Sequence, residues 1–147
     1  MFLPFYFPSS QSIRVAILGG GYSGLAALIT LREHCSNAEI ILVDPRSEHL
    51  KITHLHESFR RRWSDCWVPF SALERRFGFR HIQATVELDE QQVKLWQNQR
   101  SLTVDTRETT EEVEFDYLLI AVGAGSRKTE QNSAVCDLDD FIATSGP

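Results

Sequence analysis

The stretch Arg14-Val-Ala-Ile-Leu-Gly-Gly-Gly-Tyr-Ser-Gly-Leu-Ala-Ala27 decides the fold. Ile13 to Leu18 is a short apolar run rich in β-branched residues, and it breaks abruptly at three glycines. An amphipathic helix pattern follows, with Leu25, Leu28, Ile29 and Leu31 on one side and Arg32 and Glu33 off it. The polar stretch Cys35-Ser36-Asn37 ends that pattern. Ile40-Ile41-Leu42-Val43 is then apolar at every position, as a strand covered on both faces of a parallel sheet is. The segment therefore reads as β-α-β over about 30 residues, a unit whose crossover is almost always right-handed.

Gly19-Gly20-Gly21-Tyr22-Ser23-Gly24 satisfies the spacing GxGxxG. Gly19 permits the sharp turn out of the strand. Gly21 lets a pyrophosphate approach the backbone, and Gly24 lets the helix pack closely on the strand. The N–H groups of Gly21, Tyr22 and Ser23, at the positive end of the helix dipole, would face the phosphates. The hexapeptide alone is weak, but Asp44 lies 20 residues beyond Gly24, at the end of the second apolar run. A carboxylate there accepts hydrogen bonds from a ribose and disfavours a 2′-phosphate, so FAD or NAD is expected before NADP. The competing reading is a glycine-rich turn with Asp44 as an ordinary loop residue.

Outward from this unit the pattern is less regular. Pro69-Phe70-Ser71-Ala72-Leu73 predicts a helix that Gly78 stops. Strands are expected over Arg80–Leu88, Val93–Trp96, Leu102–Val104 and Phe115–Val122, the last buried at most positions and closed by Gly123. Glu108–Glu112 reads as a solvated connection, and from Ser126 the sequence turns polar. The fold class expected is α/β. Its parallel sheet is built from strands near 13–18, 38–43, 80–86 and 115–122, with an antiparallel β-meander inserted before the last strand. The organisation expected is a leader over 1–12, a dinucleotide-binding domain over 13–125 and a polar tail over 126–147.

Composition narrows the function classes. The 147 residues are 42% hydrophobic and 24% charged, enough for one domain with one core. The net charge of -5 disfavours a general polyanion binder, so nucleic acid is not an expected partner. Arg60-Arg61-Arg62 and Arg75-Arg76 with Trp63 and Trp67 read as solvated faces with inward aromatics rather than a stacking surface. No run approaches the ~20 apolar residues of a membrane span. The aromatic start, Met1 to Pro8, lacks the basic region of a signal peptide. Cys35, Cys66 and Cys136 are odd in number with no CxxC, which fits a reducing, cytoplasmic setting, with peripheral membrane contact as the alternative. His49, His54, His56, Glu57 and Asp65 cluster without metal-ligand spacing, and no metal is expected.

The Arg14–Ala27 motif resembles the N-terminal FAD-binding motif of the two-dinucleotide-domain flavoproteins. The chain is most similar to type II NADH dehydrogenases and related pyridine nucleotide oxidoreductases. Ile82–Asp89 with Val93–Trp96 resembles the family's third strand and meander. Phe115-Asp-Tyr-Leu-Leu-Ile-Ala-Val-Gly123 resembles its second fingerprint, a strand ending in Ala-Thr-Gly beside the flavin diphosphate, with Val122 in place of the threonine. The resemblance implies Val86 near the adenine, Ala121, Val122 and Gly123 near the diphosphate, and Glu48–Glu57 approaching the flavin, where one of Lys51 or His54 would touch the isoalloxazine; a surface or packing role is the favoured alternative for either. It also implies FAD as cofactor, NAD(P)H as co-substrate, and an acceptor such as quinone. The disulfide reductases of the superfamily carry Cys-x4-Cys after the second strand. Asp44 to Phe59 holds no cysteine, so dithiol exchange is not expected.

The resemblance further implies a second GxGxxG and a Gly-Asp motif, and neither is found in these 147 residues. The chain is therefore expected to be truncated relative to the family and inactive alone, with no catalytic residue assignable. The alternative is a non-catalytic adenine-dinucleotide-binding module, or an interaction fragment completed by a second chain or copy.

Overall fold

The first strand, β1 (Arg14–Leu18), ends at Gly19 and leads into α1 (Tyr22–His34). The computed structural model describes residues 12–51 and 62–123. β2 (Glu39–Asp44) returns parallel to β1, and a short antiparallel ribbon of β3 (Glu48–Leu50) and β4 (Trp67–Pro69) follows. Then come α2 (Phe70–Phe77), β5 (Arg80–Gln83), α3 (Glu90–Gln99), the hairpin β6 (Ser101–Asp105) and β7 (Thr110–Glu114), and β8 (Tyr117–Ile120). The main sheet has the order β5-β2-β1-β8, with every pair parallel. Counted along the chain this is third, second, first, fourth, so the direction of winding reverses between β1 and β8.

Alternation of side chains across β1 and β2 splits the core into two halves. Val15, Ile17, Ile40 and Leu42 face α1 and α2, packing with Leu28, Phe70 and Phe79. Ala16, Leu18, Ile41 and Val43 face the other way, against Trp96, Leu102, Val104, Val113 and Phe115. Apolar residues at consecutive positions are thus needed because both faces are covered. Arg32 joins the two helices on the first face. Its guanidinium donates to the carbonyls of Ser36 (2.6 Å), Phe77 (2.8 Å) and Gly78 (2.6 Å), satisfying carbonyls that the ends of α1 and α2 leave open.

Several sequence expectations are corrected. Val93–Trp96 is not a strand but lies within α3. Asp89 caps that helix, its side chain accepting the Gln92 N–H at 2.7 Å. Val93 and Trp96, three residues apart, both turn toward the core, which is helical spacing, while Leu95, which strand alternation would put on the same face as Val93, is exposed. The antiparallel insertion is the β6–β7 hairpin, joined to the chain after β5 by a Thr85–Asp105 bridge. Glu111 and Glu112, read as part of a connection, lie in β7, where Glu111 receives both guanidinium nitrogens of Arg80 at 2.5 and 2.7 Å. β5 stops at Gln83.

β8 is apolar but not buried: Tyr117 is 63% exposed, and Leu119 and Ile120 also face out. It pairs with β1 and is one edge of the described sheet, β5 being the other. Beside it, Ile13, Ala27, Leu31, Tyr117 and Leu119 help line an apolar groove of 690 Å³ along α1. Residues 1–11, 52–61 and 124–147 lie outside the described residues, and with them the leader, His54, His56, Cys136 and the polar tail. Cys35 is half-buried and Cys66 is buried. No helix among the described residues is long and apolar enough to cross a membrane.

The start of β8 is tied to β1 by a reciprocal pair. The Arg14 N–H donates to Asp116 Oδ2 at 2.8 Å, and the Asp116 N–H donates to the Arg14 carbonyl at 2.9 Å. The Arg14 guanidinium also reaches Glu114 and Asp116. The Arg14 backbone N–H first, then its side chain, hold the Asp116 carboxyl below the usual carboxylate range. A carboxyl depressed in the folded state stabilises it above the unfolded value near pH 4, and the benefit is lost as pH falls through the folded value. Urea unfolding should therefore show Asp116→Asn less stable than the parent at neutral pH, with the gap closing as pH falls below the ordinary carboxylate value of about 4 and through the folded one. A gap constant with pH would refute the pairing. Arg32→Met should cost roughly 2 kcal/mol by leaving the two helix ends short of a donor, read as a lower urea midpoint; an unchanged midpoint would refute that role.

Candidate functional site

The turn after β1 is built by exclusion of side chains. Gly19 has φ +103°, a conformation that L side chains rarely adopt, and a Cβ there would meet the Ala121 carbonyl oxygen at 2.4 Å. The turn thus sits directly on the chain leaving β8, and the Ala121 N–H donates to the Leu18 carbonyl at 2.7 Å. A Cβ on Gly24 would lie 1.8 Å from the Gly19 oxygen, so α1 packs on the turn at a distance that only glycine permits. Gly21 is different. It has an ordinary extended φ of -73°, and a Cβ there would meet nothing within 4 Å. It borders open space.

Gly21 is the N-cap of α1, and no side chain caps the helix. The first intrahelical bond runs from the Leu25 N–H to the Gly21 carbonyl at 3.0 Å, and the first turn holds no acidic residue. The N–H groups at the start of α1 therefore lack helix partners, next to exposed Tyr22 and Ser23. Uncapped donors at the positive end of a 13-residue helix, beside an open glycine, fit an anionic diphosphate.

Asp44 ends β2 next to this turn, half-buried. Its Oδ2 accepts the Gly20 N–H at 2.7 Å and its Oδ1 accepts the Arg46 N–H at 2.8 Å. Each oxygen keeps acceptor capacity for a hydroxyl. The carboxylate thus has a structural task that its position in the sequence does not reveal. Val86 follows Ala84, whose N–H donates to the Asp44 carbonyl at 3.3 Å. Val86 itself is half-buried against the core and lines a cavity of 390 Å³ with Thr85, Trp96, Thr103 and Asp105. On the other side, Val122 is 50% exposed and Gly123 has φ +73°. The structure therefore joins Gly19, Gly21, Tyr22, Ser23, Gly24, Asp44 and Ala121 around one turn, with Val122 and Gly123 continuing from Ala121. Val86 packs instead in the cavity beside α3.

Two residues that support the turn are not legible as such in the sequence. Phe70, fully buried, lies where a Cβ on Gly20 would meet its ring at 2.3 Å. His49, also buried, reaches the Gly20 carbonyl with Nδ1 at 2.9 Å. Phe70 is 50 residues from Gly20, and no local spacing links them. Lys51 is engaged elsewhere, its Nζ donating to the Asp65 carbonyl at 3.2 Å. Among the described residues no group of His, Cys, Asp and Glu is arranged to hold a metal.

Comparison with known proteins agrees with this architecture. The family described as pyridine nucleotide-disulphide oxidoreductase matches residues 13–144. The demethylphylloquinone reductase of Synechocystis sp. is 33% identical over 119 residues, covering 75% of this chain and 28% of that protein. The sulfide-quinone reductase of Aquifex aeolicus is 27% identical over 139 residues, covering 88% of this chain and 30% of that protein. The solved structure of the latter superposes with a TM-score of 0.64 at 26% identity, over 90% of this chain and 30% of its own. The structure of NDH2, the type II NADH dehydrogenase of Plasmodium falciparum, in complex with NADH gives a TM-score of 0.66 at 20% identity, over 90% of this chain and 28% of its own. The chain spans less than a third of the length of these relatives. With its glycine turn, its strand order and a family match over nearly its whole length, the chain belongs to the pyridine nucleotide-disulphide oxidoreductases.

Proposed function

We propose that residues 13–125 form the dinucleotide-binding part of a FAD-dependent NAD(P)H oxidoreductase that passes electrons to an acceptor such as quinone. The observation that carries this reading is the open Gly21 beside the uncapped start of α1, at the winding reversal between β1 and β8. The relatives named as quinone reductases, and the NADH complex of NDH2, support the electron donor and acceptor classes. Bound flavin would supply the redox chemistry, accepting hydride from NAD(P)H and delivering two electrons onward. This chain's own residues bind and orient. The N–H groups of Gly21, Tyr22 and Ser23 meet the diphosphate, Asp44 accepts from the adenosine ribose, and Val86 lies on the adenine side. Ala121, Val122 and Gly123 border the diphosphate opposite the glycine turn. Three cysteines, an odd number without CxxC spacing, support a reducing, cytoplasmic setting.

A second reading has a specific observation behind it. The apolar edge β8 and the groove along α1 favour a dinucleotide-binding module whose sheet is completed by further polypeptide, as a second copy or another chain. In that case Leu119→Lys should reduce self-association of the 147-residue chain in sedimentation at high concentration. A parent chain that stays monomeric there would sink the second-copy version.

Gly21 and Gly24 separate a binding role from a structural one. Gly21→Val should cost no more than about 1 kcal/mol of helix capping, because the added atoms enter open space, yet it should abolish quenching of FAD fluorescence. Gly24→Val should instead unfold the chain, because its Cβ would fall on the Gly19 oxygen. A folded Gly21→Val chain that binds FAD and ADP as the parent does would overturn the placement of the diphosphate.

A further inference from the structure

Gly20 is gripped at both of its backbone polar atoms. Its N–H donates to Asp44 Oδ2 at 2.7 Å, and its carbonyl accepts from His49 Nδ1 at 2.9 Å. A carbonyl oxygen only accepts, so Nδ1 of His49 carries the proton. His49 is 7% exposed and sits in β3, paired opposite Val68 of β4, so its backbone is anchored in a ribbon. Its ring meets the Tyr22 ring edge-on, with 4.9 Å between centroids. Ser47, two residues before His49, accepts the Phe70 N–H at its carbonyl at 3.0 Å, and the Phe70 ring closes the space over Gly20. The ribbon that carries His49 and the helix that carries Phe70 thus converge on one glycine.

That convergence answers a problem set by the sequence. Three consecutive glycines have no Cβ to restrict them, and the peptide unit between Gly20 and Gly21 can face either way at little steric cost. A trans peptide is planar, with its C=O and N–H on opposite sides. Whatever holds the Gly20 carbonyl therefore aims the Gly21 N–H. We propose that His49 is a positioning residue for the diphosphate. By binding the Gly20 carbonyl on the buried side, it turns the Gly21 N–H outward, at the residue where a Cβ would meet only open space. The inference rests on the dinucleotide reading above and adds to it the residue that orders the glycine turn. Asp44 fixes the preceding peptide in the same way, so the two peptides flanking Gly20 are each set by a side chain, one from the end of β2 and one from β3.

Two substitutions separate the hydrogen bond from the ring. His49→Phe keeps an aromatic ring against Tyr22 and removes the donor. His49→Asn loses the ring and keeps an N–H donor close to the position of Nδ1. In ADP and FAD titrations of the 147-residue chain, His49→Phe should weaken binding about tenfold, the cost of one buried carbonyl losing its donor. His49→Asn should bind within about threefold of the parent, as expected if the donor rather than the ring is what matters. Amide spectra provide a readout that needs no ligand. The Gly20 and Gly21 cross-peaks should double or broaden in His49→Phe and stay single in His49→Asn. Parent-like binding with single cross-peaks in His49→Phe would overturn the proposal, as would equal losses in both variants. If the parent chain binds neither ADP nor FAD, the dinucleotide reading falls, and the cross-peaks then decide by themselves whether His49 orders the turn.

Discussion

The structure depends on one close approach. At Gly19 the chain leaving β1 touches the chain leaving β8, and the Gly19 carbonyl lies where a side chain of Gly24 would otherwise begin. Three elements meet there with backbone against backbone. Any Cβ at either glycine would push α1 off β1, or β8 away from the turn. The contact sets how near the start of α1 comes to the sheet, and hence where its uncapped N–H groups stand. It also sets the crevice, because the parallel sheet changes its direction of winding between the same two strands.

Around that contact the sheet is covered on both sides by unlike layers. Helices α1 and α2 cover one face, held to each other through Arg32. The other face is covered by α3 and the β6–β7 hairpin. Support for the glycine turn comes from Asp44 at the end of β2, from His49 in β3, and from the first residue of α2, Phe70. Each is a local choice in a different element, and they converge only once β2 lies beside β1. The fourth strand, by contrast, is apolar without cover among the described residues.

Where periodicity is long and strong, sequence and structure agree. β1, α1 and β2 carry complete patterns, and Pro69 and Gly78 bracket α2 as their backbone constraints demand. Val93–Trp96 is helix rather than the expected strand, and four residues do not separate a period of two from one of 3.6. The deciding signal was the cap, Asp89 with Gln92, just before the apolar positions. β8 was read as buried because an apolar run reports what a strand is made of, not what lies beside it. His49 was legible as a histidine near the second strand, but nothing local pointed it at Gly20, 29 residues earlier.

The sequence by itself determined the β-α-β unit, the glycine turn, the acidic end of β2 and the family resemblance, because each rests on spacing within a short stretch of chain. Only the tertiary structure decided the rest. It showed which glycines are locked by contact and which one opens to solvent. It gave Asp44 a partner in Gly20, brought His49 and Phe70 onto the same residue, and left β8 at an edge. The physical reason is that these properties are distances between atoms far apart along the chain. Local patterning constrains the direction of each element, but not which backbone atoms it finally meets.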